Sequence, residues 1–191
     1  MKFNILNMNN PKVYLLAWIA AVVIALALAI ASPNESRVMG HLPSVNTQTL
    51  TRQSIAVPEG LPSDRTLALV TFRPEHKAQA ESWIEGLNLE NDASISWVRM
   101  PVLNDPGTQA ERKAVETRLL QSYPASTERA KLVPIFTNRA DFVRSASLNG
   151  VSQSYVLIVN RRGEVLARVE GKFDADKAQI LRETLQPIDF Q

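Results

Sequence analysis

Arg73, His76 and Lys77 form a cationic cluster between the apolar segment Thr66–Phe72 and a helix-forming stretch. Guanidinium, imidazole and ammonium groups at a helix start suit carboxylates and other anions. The first-turn N–H groups are unsatisfied there, and the helix dipole is positive. An imidazole also acts as a general base when a carboxylate orients it. No Asp or Glu is spaced to orient His76, and the other histidine, His41, lies in a distant segment. Ser82 and Ser154 lack the setting of a nucleophilic serine. The chain has no cysteine. That excludes disulfides, thiol catalysis, iron–sulfur clusters, Cys-ligated zinc and a lipidated cysteine. Asp105-Pro106-Gly107 has too few carboxylates around it for calcium. The residues therefore assign no catalytic group, no metal and no cofactor. They leave a docking corner for an acidic peptide segment or carboxylate, a non-thiol enzyme at Arg73–Lys77, or a solvated loop.

Charge placement narrows the partners. The chain has 191 residues and a formal charge of +2, from 21 basic and 19 acidic residues. Lys2 and Lys12 precede position 32 without any acid, so 21 less these two leaves 19 basic residues against 19 acidic ones. The remainder is neutral, and nucleic-acid binding has no electrostatic support.

The elements that must carry the corner begin with an anchor. Val13–Ala31 is apolar and uncharged, and about 19 residues at ~1.5 Å each span roughly 28 Å, enough for a hydrocarbon core. Lys2 and Lys12 before the span keep the N-terminus in the cytoplasm, and Tyr14 and Trp18 suit the interface. Ala29-Ile30-Ala31 also fits a signal-peptidase site, but the apolar run exceeds a usual signal core of ~7–15 residues. The expected order is a cytoplasmic N-terminus over 1–12, an anchor or signal peptide over 13–31, a linker over 32–63 and a domain over 64–191. The linker carries Pro33, Pro43, Pro58 and Pro62, with an edge strand possible at Thr51–Val57 and His41 solvated.

Within the domain, Thr66–Phe72 and Tyr155–Val159 are apolar runs of buried-strand type. Ala80, Trp83, Ile84 and Leu87 mark one helical face after Pro74, and both Trp83 and Trp97 read as core. Ser94–Leu103 is a strand, and Asn104–Gly107 a turn. Thr108 caps a helix to about Gln121, with Glu111 at capping-box spacing. A polar connection spans Tyr123–Lys131, and a short strand Leu132–Thr137. Asn138 caps a helix over Ala140–Leu148, closed by Asn149-Gly150. Asn160–Gly163 turns Tyr155–Val159 back into the alternating strand Val165–Val169. Asp174 caps Ala175–Leu185, which Pro187 stops. Alternating strands and helices imply right-handed crossovers and a parallel sheet with an antiparallel hairpin at its end.

This order resembles the thioredoxin-like superfamily, in its peroxiredoxin/redoxin branch, over roughly Thr66–Leu185. SASLNGVSQSYVLIVNRRGEVLARVEG is similar to the family's helix, Gly-Val step, buried strand, charged turn and outgoing strand. VTFRPEHKAQAESW is similar to the segment that carries its redox cysteine. The resemblance implies an α/β three-layer sandwich with a central mixed sheet, preceded here by one transmembrane helix. It puts His76 or Lys77 at the nucleophilic cysteine, Ala80 at a second cysteine, and Ser154-Tyr155 at the usual cis-proline step. Thiol or peroxide chemistry is therefore not carried over. The resemblance also places Ser154 and Tyr155 across from the cluster, so the candidate partner-binding residues are Arg73, His76, Lys77, Ser154 and Tyr155. The expectation is a single-pass inner-membrane protein. It would meet the lipid bilayer through Val13–Ala31 and hold a redox-inactive domain in the periplasm, as an accessory or assembly factor for an envelope protein.

Overall fold

The alternation of apolar runs with helical stripes produces a five-stranded sheet between two layers. The computed structural model describes residues 38–186. The anchor reading of Val13–Ala31 and the stop at Pro187 fall outside the described residues. Among the described residues, no helix is long and apolar enough to cross a membrane. In chain order the strands are β1 (Val45–Gln48), β2 (Ser54–Val57), β3 (Thr66–Thr71), β4 (Trp97–Asn104), β5 (Ile135–Thr137), β6 (Tyr155–Val159) and β7 (Val165–Glu170). The helices are α1 (Lys77–Gly86), α2 (Gln109–Ser122), α3 (Ser126–Ala130), α4 (Arg139–Ser145) and α5 (Ala175–Leu185).

The main sheet has the order β5-β4-β3-β6-β7. β3, β4 and β5 are parallel neighbours, while β6 runs antiparallel to β3 and to β7. All five residues of β6 are buried, whereas β7 alternates buried with half-buried, as the sequence pattern predicts for a covered strand beside an edge strand. Gly163, at φ 84°, takes the left-handed position of the turn between them.

One sheet face packs Leu67, Leu69, Trp97, Val156 and Ile158 against Trp83 and Ile84 of α1 and Leu181 of α5. The other packs Val70, Phe72, Met100 and Leu157 against Phe142 of α4 and against Leu42, Val57 and Leu61. These last three correct the linker reading of 32–63. Their side chains are 5%, 2% and 1% exposed, so this part of the segment is a piece of the core. Residues 39–42 lie beside the start of β7, where Met39 N–H donates to Val165 O and Leu42 N–H to Gly163 O, each at 2.8 Å. His41 forms a bridge with Glu164. The edge strand expected near Thr51–Val57 is half of a separate hairpin, β1–β2.

Four local boundaries also differ. β5 starts at Ile135 rather than Leu132, which makes only an isolated bridge with Arg99. The connection Tyr123–Lys131 contains α3. α4 ends at Ser145 because Ser147 turns left-handed at φ 53°, and Leu148 N–H then bonds Val143 O at 2.8 Å. β4 starts at Trp97 rather than Ser94, since Asp92 holds Ser94 in a turn through its amide and hydroxyl. The three caps read from sequence are made: Thr108 accepts from Glu111 N–H, Asn138 from Ala140 and Asp141 N–H, and Asp174 from Lys177 N–H.

Candidate functional site

The cationic cluster sits where β3 hands over to α1. Pro74 opens a 3₁₀ turn over Pro74–His76, which brings His76 back under the strand end. The imidazole is buried, and its Nδ1 accepts a hydrogen bond from Phe72 N–H at 3.3 Å. Burial lowers the His76 pKa below its ordinary 6.5, and the nearby Arg73 guanidinium reinforces that shift. His76 is thus a buried, neutral side chain tied back to the end of its own strand.

The other four candidates take different places. Arg73 is exposed. Lys77 turns away from the corner: its Nζ donates to Ser122 O at 2.7 Å and lies 4.5 Å from the Tyr123 ring centre. It thereby caps the end of α2, where the dipole favours a cation. Ser154 and Tyr155 are each 2% exposed. Tyr155 pairs with Val70 across the sheet and meets Phe72 edge-on, with ring centres 6.2 Å apart. Burial raises its phenol pKa, and Glu170 adds to that. The fold therefore brings His76, Ser154 and Tyr155 near one strand end but does not present them as an open cationic face.

α1 fills the space between. Gln79 Oε1 accepts from Ser154 N–H at 2.8 Å, and Ser82 Oγ accepts from Phe173 N–H at 3.0 Å. Trp83 Nε1 donates to Gly171 O at 2.8 Å. Three side chains on two successive turns of one helix thus satisfy backbone groups on the loops flanking β6 and β7. In chemical terms the corner is a self-paired seam, with Arg73, Pro74, Glu75 and Ala78 left at its surface.

A second polar site was not legible as a site. Arg99, inside β4, is 3% exposed and makes a two-pronged contact with Glu81 of α1 at 2.7 and 3.2 Å. Glu128 of α3 lies 3.6 Å away. The guanidinium also faces the rings of Trp97 and Tyr123 at 5.6 and 5.5 Å, and its Nε has no partner. This arrangement ties three elements together and leaves no room for substrate. Its one sequence signal is an arginine within an otherwise apolar strand, since such a residue stays buried only when paired.

A groove of about 1360 Å³ opens between the β1–β2 hairpin and α2, lined among others by Val45, Arg52, Ile55, Lys113 and Phe136. Among the described residues, no group of three or more His, Asp or Glu side chains is placed to hold a metal.

The sequence matches no family model and no curated protein. Solved structures match at the level of the fold. BsSco, a member of the Sco family of cytochrome c oxidase assembly proteins, is 16% identical, with a TM-score of 0.50 over 76% of this chain and 91% of that one. A candidate electron transfer protein from Aquifex aeolicus VF5 is 9% identical, with a TM-score of 0.53 over 78% and 96%. A candidate electron transport protein from the same organism is 8% identical, with a TM-score of 0.54 over 78% and 98%. The fold is thioredoxin-like, with a mixed central sheet and no cysteine anywhere in the chain.

Proposed function

We propose, from a thioredoxin-like fold that carries no thiol, that this chain is a membrane-anchored, exported domain that binds a protein partner as an accessory or assembly factor of an envelope complex. The observation that carries the reading is the seam at α1. Gln79, Ser82 and Trp83 bond to backbone across the place where this fold would otherwise expose reactive sulfur. A domain stabilised in that manner offers a shaped surface and no reacting atom. The anchor rests on the apolar run Val13–Ala31 and its cationic flank. BsSco belongs to a family of cytochrome c oxidase assembly proteins, and an assembly role asks only a surface of the fold. The burial of His76 speaks against the enzyme alternative, because its Nδ1 is engaged by a backbone amide and cannot take a substrate proton.

The test is site-specific photo-crosslinking in cells, with the probe at Arg73 or at Ala78, and at Glu183 on α5 as control. A discrete envelope protein joined from the first two positions and not from the third is expected. Equal labelling from all three, or none, removes the docking reading. An intact mass that begins at Ser32 would replace the anchor with a cleaved signal peptide.

A further inference from the structure

We propose that the groove between the β1–β2 hairpin and α2 takes an extended, acidic segment of a partner protein. The hairpin wall is fixed in place. Val57 is buried, Val45 and Ile55 pack against the core, and Thr47 Oγ1 donates to Pro134 O at 2.5 Å. At the hairpin tip, Thr49 Oγ1 accepts from Gln53 N–H at 3.1 Å and lies 2.8 Å from Thr51 Oγ1. Arg52 stands in that turn at φ 65°, a left-handed position that a non-glycine residue holds only where its surroundings impose it. The other wall is α2, which buries none of its 14 residues. Gln109, Lys113 and Glu116 recur there at i, i+4 and i+7, so one helical face lines the groove.

The lining divides by chemistry. Val45, Ile55 and Phe136 are half-buried and make an apolar floor, while Arg52, Gln109 and Lys113 are exposed at the rim. Phe136 adds a backbone handle. Val133 N–H donates to Arg99 O, and Thr137 O accepts from Asp105 N–H, so Val133, Ile135 and Thr137 bond toward β4. Phe136 lies between them and turns its own N–H and C=O away from β4, along the outer side of the last strand in the sheet. A strand edge of this kind takes an extended chain through main-chain hydrogen bonds, and an apolar floor reads its side chains. Charge selects the chain. Four charged side chains line the groove: Arg52, Arg112, Lys113 and Glu116. Arg112 is occupied by Asp105, whose carboxylate accepts from its Nε at 2.9 Å. Among the described residues, no ion pair engages Arg52 or Lys113. These two cations stand on opposite walls, and Glu116 offsets only one of them. The groove therefore favours carboxylates at its rim and alternating apolar side chains on its floor. Only the segment's membership in a physiological partner rests on the docking reading.

The experiment uses the full chain in detergent micelles and a fluorescent peptide that alternates glutamate with valine. Anisotropy measures binding, and amide NMR locates it. We expect a Kd below about 1 mM, with shifts at the Phe136, Gln109 and Lys113 amides. Arg52→Glu and Lys113→Glu should each weaken binding by about fivefold. Lys172→Glu makes the same charge change at an exposed site beyond β7, the opposite edge of the sheet, and should weaken it by less than about twofold. Ala110→Trp fills the groove from an exposed position and should abolish binding. The proposal is overturned by the absence of binding at about 1 mM peptide. It is overturned equally if Lys172→Glu weakens binding as much as the groove reversals do, or if polyglutamate or a lysine–valine peptide binds as well, since the attraction would then be general. Self-association of the chain that Ala110→Trp abolishes, with no peptide bound, gives the groove to a second copy instead. A peptide seated in the groove, with no envelope protein crosslinked from Arg73 or Ala78, defeats docking at the α1 corner and leaves the groove standing.

Discussion

The start of α1 and the whole of α2 fix a helix to the same sheet in opposite ways. α1 buries Ala80, Trp83 and Ile84 and spends its polar side chains on the backbone of neighbouring loops. α2 is longer, at 14 residues against 10, and buries none of them. It is held at its ends. Thr108 caps the first turn and Arg112 pairs with Asp105. At the other end Arg129 bonds the carbonyls of Tyr123 and Leu120, and Lys77 that of Ser122. The contrast teaches that an internal apolar stripe and a set of terminal clamps produce similar helices on paper. They differ in what each lends to the rest of the fold, because only the first couples the helix to the core.

The Arg99 network is where the two designs meet, since it joins α1 to the segment after α2. Arg99→Ala would leave the Glu81 and Glu128 carboxylates without their cation and open a cavity beside Trp97. A loss of about 3 kcal/mol is expected, toward the low end for broken buried pairs because both carboxylates are partly hydrated. Chemical denaturation of the full chain measures it. A loss under about 1 kcal/mol would mean that α1 is held by its apolar stripe alone, and the network would then be incidental to the comparison. Arg99→Lys keeps the charge but not the two-pronged contact and should fall between.

The seam gives a sharper test. Gln79→Ala removes the acceptor of Ser154 N–H and leaves that amide buried without a partner, at a cost of roughly 1–2 kcal/mol. Gln79→Glu restores an acceptor oxygen and should recover most of it. Were both variants equally weakened, packing of the side chain rather than the hydrogen bond would be what closes the corner.

What was legible follows the same division. β3, β6 and β7 are written in short-range patterns, continuous for strands covered on both faces and alternating for the edge. The caps at Thr108, Asn138 and Asp174 are local too. Interactions set by distant segments were not legible. Leu42, Val57 and Leu61 sit among prolines and threonines with no period between them, so nothing local distinguishes the start of a core from a tether. Arg99 announces a need for acids, but its partners lie 18 and 29 positions away in sequence on separate helices. His76 stands between Glu75 and Lys77 and reads as exposed. Its burial comes from the tight turn at Pro74, and residue types alone carry no signal of that. The sequence reading expected an open cationic face at this corner; in the structure His76, Ser154 and Tyr155 are buried, Lys77 points to the end of α2, and Arg73 alone of the five is exposed.

The smallest effect separates the two helices most cleanly. Thr108→Ala deletes the N-cap of α2, and such losses cost about 1 kcal/mol of local helix stability. If α2 is held only at its ends, that cost should appear as faster amide exchange across Gln109–Lys113, while the global unfolding free energy changes by less than about 0.5 kcal/mol. The reason is that no buried side chain of α2 passes the strain inward. A cap deletion that lowered global stability by the full amount would show α2 to be coupled to the sheet through the half-buried Val115, Leu119 and Leu120. The groove beside it would then be a seam of the same kind as the one at α1, closed by packing instead of hydrogen bonds.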